Sequence, residues 1–169
     1  EPGAGSDALG AMRTSARREG DHYILNGTKI YITNGPVADV LLVYAKTAPE
    51  LGAKGISAFI VEKDFPGFKV AQKLVKMGFR GSQTGELVFD DCRVPAANLV
   101  GKENEGVKIV MSGLDLERAL VAALCVGICE RALELSVEYA GRACSSANLS
   151  AASRWCRPCW LRCTPKPRR

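Results

Sequence analysis

Lys108–Tyr139 reads KIVMSGLDLERALVAALCVGICERALELSVEY, a stretch with no proline and with leucine, alanine and glutamate throughout. That composition and the absence of a breaker predict one long helix. Projected at about 100° per residue, Val110, Leu114, Val121, Leu124, Ile128 and Leu135 form one stripe, and Glu117 falls inside it. Glu130, Glu134 and Glu138 project away from its centre. A carboxylate among aliphatic neighbours is costly to ionise, so its pKa rises toward neutrality, which suits a general base. The same position also describes a boundary glutamate that reaches solvent or pairs with a neighbouring helix. Periodicity leaves both readings open. Asp115 and Arg118, three apart, read as a surface ion pair. Gly113 costs a helix interior roughly 1 kcal/mol, a cost that makes sense where backbone or ligand approaches closely just before Glu117.

Upstream of the helix the signals change to strands. His22–Asn26 and Lys29–Thr33 flank Asn26-Gly27, which reads as a hairpin-type turn. Asn34-Gly35-Pro36 ends the second of these, and Val40–Lys46 is a buried apolar run. After a loop at Pro49–Lys54 come Ile56–Glu62 and Phe68–Lys73, separated by Phe65-Pro66-Gly67, and then Glu86–Asp91, where Leu87 and Phe89 alternate with charge. About six strands joined by short turns, with no helices between them, predict an antiparallel sheet or barrel. Arg93–Gly106, with Pro95 and Gly101, connects this to the helix. The fold class is therefore α+β, an antiparallel β-sheet or barrel followed by one long helix.

Glu1-Pro-Gly-Ala-Gly-Ser-Asp7 is turn-rich. Its glycines permit positive φ and close backbone approach, so such a loop can aim several N–H groups at a phosphate. An ordinary surface loop has the same composition. The single histidine, His22, stands at a strand start, and with scattered cysteines it makes no metal site.

The 169 residues suffice for one domain with a real core and part of another. A hydrophobic content of 47% with 24% charged residues is globular, and no apolar run is long enough to span a bilayer. The net charge of +5 comes from the tail: from Cys144 onward there are six basic residues and no acid, and the body carries 17 Lys and Arg against 18 Asp and Glu. A balanced body has no nucleic-acid footprint. Cys92, Cys125 and Cys129 fall where small apolar residues fit, which suits a reducing compartment.

Taken in order, Glu1–Asp7, Tyr23-Ile-Leu-Asn-Gly27, Lys29-Ile-Tyr-Ile-Thr-Asn-Gly35, Lys76-Met-Gly-Phe-Arg-Gly-Ser82, Glu86–Pro95 and Ser112–Arg118 resemble the acyl-CoA dehydrogenase family, and within it the isovaleryl-CoA branch. The resemblance covers roughly residues 1–142. It implies an FAD enzyme of three parts, of which this chain holds the middle β-domain (1–100) and the first helix of the C-terminal four-helix bundle (101–142). It further implies that Gly3, Ala4, Gly5 and Ser6 lie against FAD, with Ser6 also facing the thioester arm. The ring of Tyr31 packs on the isoalloxazine, Ile32 beside it, and Thr33 hydrogen-bonds near flavin N5. Asp115, Leu116, Glu117 and Arg118 contact the acyl-CoA substrate, and Glu117 is the catalytic base of an α,β-dehydrogenation to the 2,3-enoyl-CoA. The implied electron acceptor is electron-transferring flavoprotein, the implied assembly a homotetramer, and the implied setting leucine degradation or fatty acid metabolism in a mitochondrial matrix or bacterial cytoplasm. No metal, nucleic acid or membrane is implied. Lys108, where this branch usually has an aromatic, and Ala122-Ala123-Leu124-Cys125, where it has a glycine-rich segment, are departures beside the acyl pocket.

Residues 143–169 belong to a different composition, with four of the seven cysteines and both tryptophans. Back-translated with permissible codons and read one nucleotide earlier, they become a helix opening on Gln-Phe-Gly, the family's next segment. The expectation is a reading-frame change near Gly141–Cys144 and a disordered tail. The rival, a metal or nucleic-acid module on Cys156-Arg-Pro-Cys159 and Cys163, has an incomplete zinc set. A second class of function also stands: a non-catalytic remnant or partial gene product of the family.

Overall fold

A computed structural model describes residues 1–5 and 7–142, and the backbone of 144–145 and 148–149. Among these, seven strands form one sheet: β1 (Ser15–Glu19), β2 (His22–Thr33), β3 (Val40–Lys46), β4 (Ile56–Glu62), β5 (Phe68–Lys73), β6 (Thr84–Pro95) and β7 (Leu99–Val100). Their order is β5-β6-β2-β1-β3-β4-β7. Neighbours run antiparallel except at β1 and β3, which meet in parallel at Ser15 and Lys46. β3, β4 and β5 have the bounds that the sequence predicts. The helix α1 spans Gly106–Arg142, containing the predicted Lys108–Tyr139. Two further two-residue strands, β8 (Cys144–Ser145) and β9 (Asn148–Leu149), pair antiparallel. The frame change, the disordered tail and the Cys156–Cys163 module otherwise lie outside the described residues.

Alternation explains the sheet. Along β3 the side chains of Leu41, Val43 and Ala45 are buried while Val40 and Leu42 are exposed, and along β6 Leu87 and Phe89 point inward. They meet Tyr23, Leu25, Phe59, Val61, Cys92 and Val94 in one core. Tyr23 and Phe59 pack ring on ring with centroids 4.9 Å apart, a tilted contact that adds about 1 kcal/mol to the area they bury. Burial pushes the Cys92 thiol up to about 11, so it acts as a small hydrophobe.

One turn is corrected. Asn26-Gly27 does not turn the chain: β2 runs straight through it, and the hairpin lies earlier, at Gly20-Asp21, between β1 and β2. β1, whose Ser-Ala-Arg-Arg-Glu has little strand character, gave no sequence signal. Gly27 is present for closeness. At φ 150° it lies so near Thr14 that a Cβ would stand 2.5 Å from the Thr14 Oγ1. Asn26 bridges the resulting bulge, donating from Nδ2 to Asp91 Oδ1 at 2.9 Å and accepting the Asp91 amide at 2.9 Å.

The connector also holds more structure than its loop-like sequence predicts, with a short 3₁₀ turn at Ala96–Asn98 and then β7. It anchors the start of α1 to the sheet. Tyr23 donates to Glu103 Oε2 at 2.8 Å, and the Asn104 amide donates to Ser57 Oγ at 2.8 Å. Thr47 Oγ1 donates to Asn104 Oδ1 at 2.8 Å. Two compact units result, residues 1–113 and 114–169, so α1 begins in the first and continues into the second.

Candidate functional site

The first group of candidate residues is in the β unit. Glu1–Gly5 turns through a hydrogen bond from the Ala4 amide to the Glu1 carbonyl at 3.2 Å, and the Asp7 amide closes on the Ala4 carbonyl at 3.1 Å. Gly5 has φ 56°, and the space above the Cα of both Gly3 and Gly5 is open for at least 4 Å. Ala4 is buried beneath. Ser6 lies outside the described residues.

The loop is tied down by its first side chain. Glu1 Oε1 accepts from Lys29 Nζ at 2.7 Å, from Thr14 Oγ1 at 2.5 Å and from the Thr14 amide at 3.1 Å, and Oε2 accepts from the Arg13 amide at 2.5 Å. The Glu1 and Lys29 side chains are 8% and 14% exposed. Burial alone would raise the Glu1 carboxyl, but the bonds from Lys29, Thr14 and the Arg13 amide outweigh it and hold the group at about 2. Burial pulls Lys29 below the usual lysine range, with Glu1 opposing.

Lys29 is on β2, next to a register shift between Lys29 and Ile32. Within it Tyr31 takes φ 62°. A bulky residue at positive φ costs on the order of 1–3 kcal/mol and is found mainly where function holds it. The effect is to lift the Tyr31 ring out of the sheet, 71% exposed, with Thr33 exposed two residues on and Ile32 half-buried between them. Ala4, Gly5, Lys29 and Ile32 line one cavity of about 220 Å³ with Leu42 and Tyr44. The loop and the bulged strand thus line one cavity through Ala4, Gly5, Lys29 and Ile32.

The second group is on α1, in the other unit. Asp115 and Arg118 form the predicted surface ion pair at 4.0 Å, and both are exposed. Leu116 is exposed as well, and so is Glu117. The aliphatic stripe around Glu117 is itself uncovered, with Leu124 at 58% exposure and Val121, Ile128 and Leu135 alike. Gly113 has no neighbour within 4 Å among the described residues. Of the two readings that periodicity leaves open for Glu117, the described residues give the solvent-reaching one, because one helix by itself cannot enclose a side chain.

Residues 1–92 match the family description "Acyl-CoA dehydrogenase, middle domain", and residues 104–152 match "Acyl-CoA dehydrogenase, C-terminal domain". The chain belongs to the acyl-CoA dehydrogenase family. Among relatives of this acyl-CoA dehydrogenase chain, isovaleryl-CoA dehydrogenase of Pongo abelii is 55% identical over 141 residues, 82% of this chain and 33% of the relative. The 2-methylacyl-CoA dehydrogenase of Solanum tuberosum is 53% identical over 139 residues, 82% of this chain and 34% of the relative. Butyryl-CoA dehydrogenase of Megasphaera elsdenii superposes with a TM-score of 0.90 at 43% identity, covering 96% of this chain and 43% of that one. The chain spans about a third of the length of the curated relatives it matches.

Sequence reasoning missed the Glu1–Lys29–Thr14 knot and the strained Tyr31. The one available signal was Lys29 itself, a cation in a strand between Thr28 and Ile30 with no acid nearby in sequence.

Proposed function

We propose that this chain carries the flavin-facing wall and the catalytic helix of an FAD-dependent acyl-CoA dehydrogenase that forms a 2,3-enoyl-CoA from a short or branched, isovaleryl-like thioester. The observation that supports it most is the bulge that exposes Tyr31 and Thr33 while Ile32 between them shares a cavity with Ala4 and Gly5 of the glycine loop, in a chain of this family. A flavin needs a flat aromatic neighbour, a hydrogen-bond donor at its ring edge and uncluttered backbone near its phosphates. Tyr31, Thr33 and Gly3–Gly5 have those properties, so the donor set fits. When bound, FAD supplies the acceptor for the hydride that leaves the β-carbon.

The chain's own part is positioning and proton removal. Tyr31 and Ile32 offer an apolar seat and Thr33 a hydroxyl donor, while Gly3–Ser6 lets the backbone come close. Asp115, Leu116 and Arg118 hold the acyl-CoA. Glu117 takes the α-proton onto its carboxylate, and the pair left behind becomes the C2=C3 bond as the β-hydride departs. A thioester α-proton is weakly acidic, so this step needs a carboxylate shielded from water. Electron-transferring flavoprotein as acceptor and a homotetrameric assembly follow from the same reading. The two named relatives differ in acyl group at nearly equal identity, so the commitment is to short and branched chains as a class.

The exposure of Glu117 favours a second reading, a chain that binds no substrate productively. FAD titration followed by isovaleryl-CoA separates the two. A yellow protein that bleaches supports the enzyme; a protein that remains colourless supports the remnant. Glu117→Gln should lower bleaching by at least about a thousand-fold with FAD retained, and bleaching at the original rate would remove Glu117 as the base.

A further inference from the structure

The knot beneath the glycine loop joins two chain segments that both face the same cavity. Glu1 precedes the loop directly and Lys29 stands two residues before Tyr31. Their side chains meet at 2.7 Å, with the Thr14 hydroxyl, the Thr14 amide and the Arg13 amide also donating to the carboxylate. Both are nearly buried. An exposed ion pair is worth little, but a buried one with further hydrogen bonds fixes geometry, because removing either partner leaves a charge without water or counterion. Among the described residues the loop's own backbone bonds are local, and only Ala4 packs a side chain, since Gly3 and Gly5 have none.

We propose that Glu1 and Lys29 are positioning residues: their buried ion pair is a strut that sets the Gly3–Gly5 loop against the bulged segment of β2, and so fixes the spacing between the loop that faces the cofactor's phosphates and the strand that faces its ring. This rests on the flavin reading for the identity of the cofactor and on geometry alone for the strut. Thr14 buttresses the carboxylate from the side where Gly27 allows close approach. The arrangement makes Lys29 a residue that acts through Glu1 on where the two segments stand.

The test uses the full chain with Glu1→Gln, Lys29→Met and Lys29→Arg, and reads amide hydrogen exchange, FAD affinity by fluorescence quenching, and thermal stability. Loop amides over residues 2–12 should exchange about ten-fold faster in Glu1→Gln and Lys29→Met, with β3 and β4 unchanged. FAD affinity should fall by about the same factor, and Lys29→Arg, which keeps the charge, should recover most of both. Unchanged loop exchange would overturn the strut. So would faster exchange spread equally through β3 and β4, which marks general support of the fold, and so would a loosened loop that binds FAD as tightly as before. A wild-type chain that binds no FAD would overturn the flavin reading, and loop exchange alone would then decide the strut.

Discussion

The sheet and the helix use the same kinds of side chain to opposite ends. In the sheet, Phe59, Val61, Leu87 and Val94 are buried to the last few per cent, and even a lysine and a glutamate are drawn inside. On α1, Leu116, Leu120, Leu124 and Ile128 stand in solvent on more than one face. A helix satisfies its own backbone hydrogen bonds, so it forms without neighbours; a strand cannot, so it forms together with its core. An apolar stripe on a helix is stable only when it is buried against neighbours. The β unit buries its polar pair by itself, whereas the described residues leave the side chains of α1 exposed.

That contrast can be tested by cutting into each side. Phe59→Ala should cost about 3–5 kcal/mol in urea denaturation followed by circular dichroism, whereas Leu124→Ala on the helix should stay within about 1 kcal/mol. Equal losses would mean that α1 is covered after all. Acid should expose the buried carboxylate next. Glu1 titrates at about 2 when folded against an ordinary value of 4.5, so its stabilisation is present above pH 4.5 and is lost as pH falls through about 2. By linkage that is up to about 3 kcal/mol. Glu1→Gln should flatten the acid limb of the stability curve, and an unchanged limb would show that other carboxylates govern it. Burial pulls Lys29 below the usual lysine range, with the bond to Glu1 opposing. Gly27→Ala, where the new methyl group meets Thr14, should cost about 1–3 kcal/mol. No loss there would put the close approach in doubt.

Much of this was legible in the residues. Val40–Lys46, Ile56–Glu62 and Phe68–Lys73 announce themselves because apolar and β-branched residues are bounded by turn formers, and α1 because nothing in it breaks a helix. The glycine loop, Tyr31 and Thr33 were legible as motifs. β1 was not, since Ser15–Glu19 is mostly charged and becomes a strand only by lying between β2 and β3. Asn26-Gly27 misled, because the same dipeptide that favours a turn also permits two backbones to touch.

By itself the sequence determined that a run of strands precedes one long helix, and the family, since these depend on local propensity and on motifs read within a few residues. Tertiary structure alone decided that Glu1 meets Lys29 across 28 positions, that Tyr31 is held at positive φ, and that Glu117 stands in the open. Burial and ion pairing are properties of what surrounds a side chain, and that is settled only when distant segments pack.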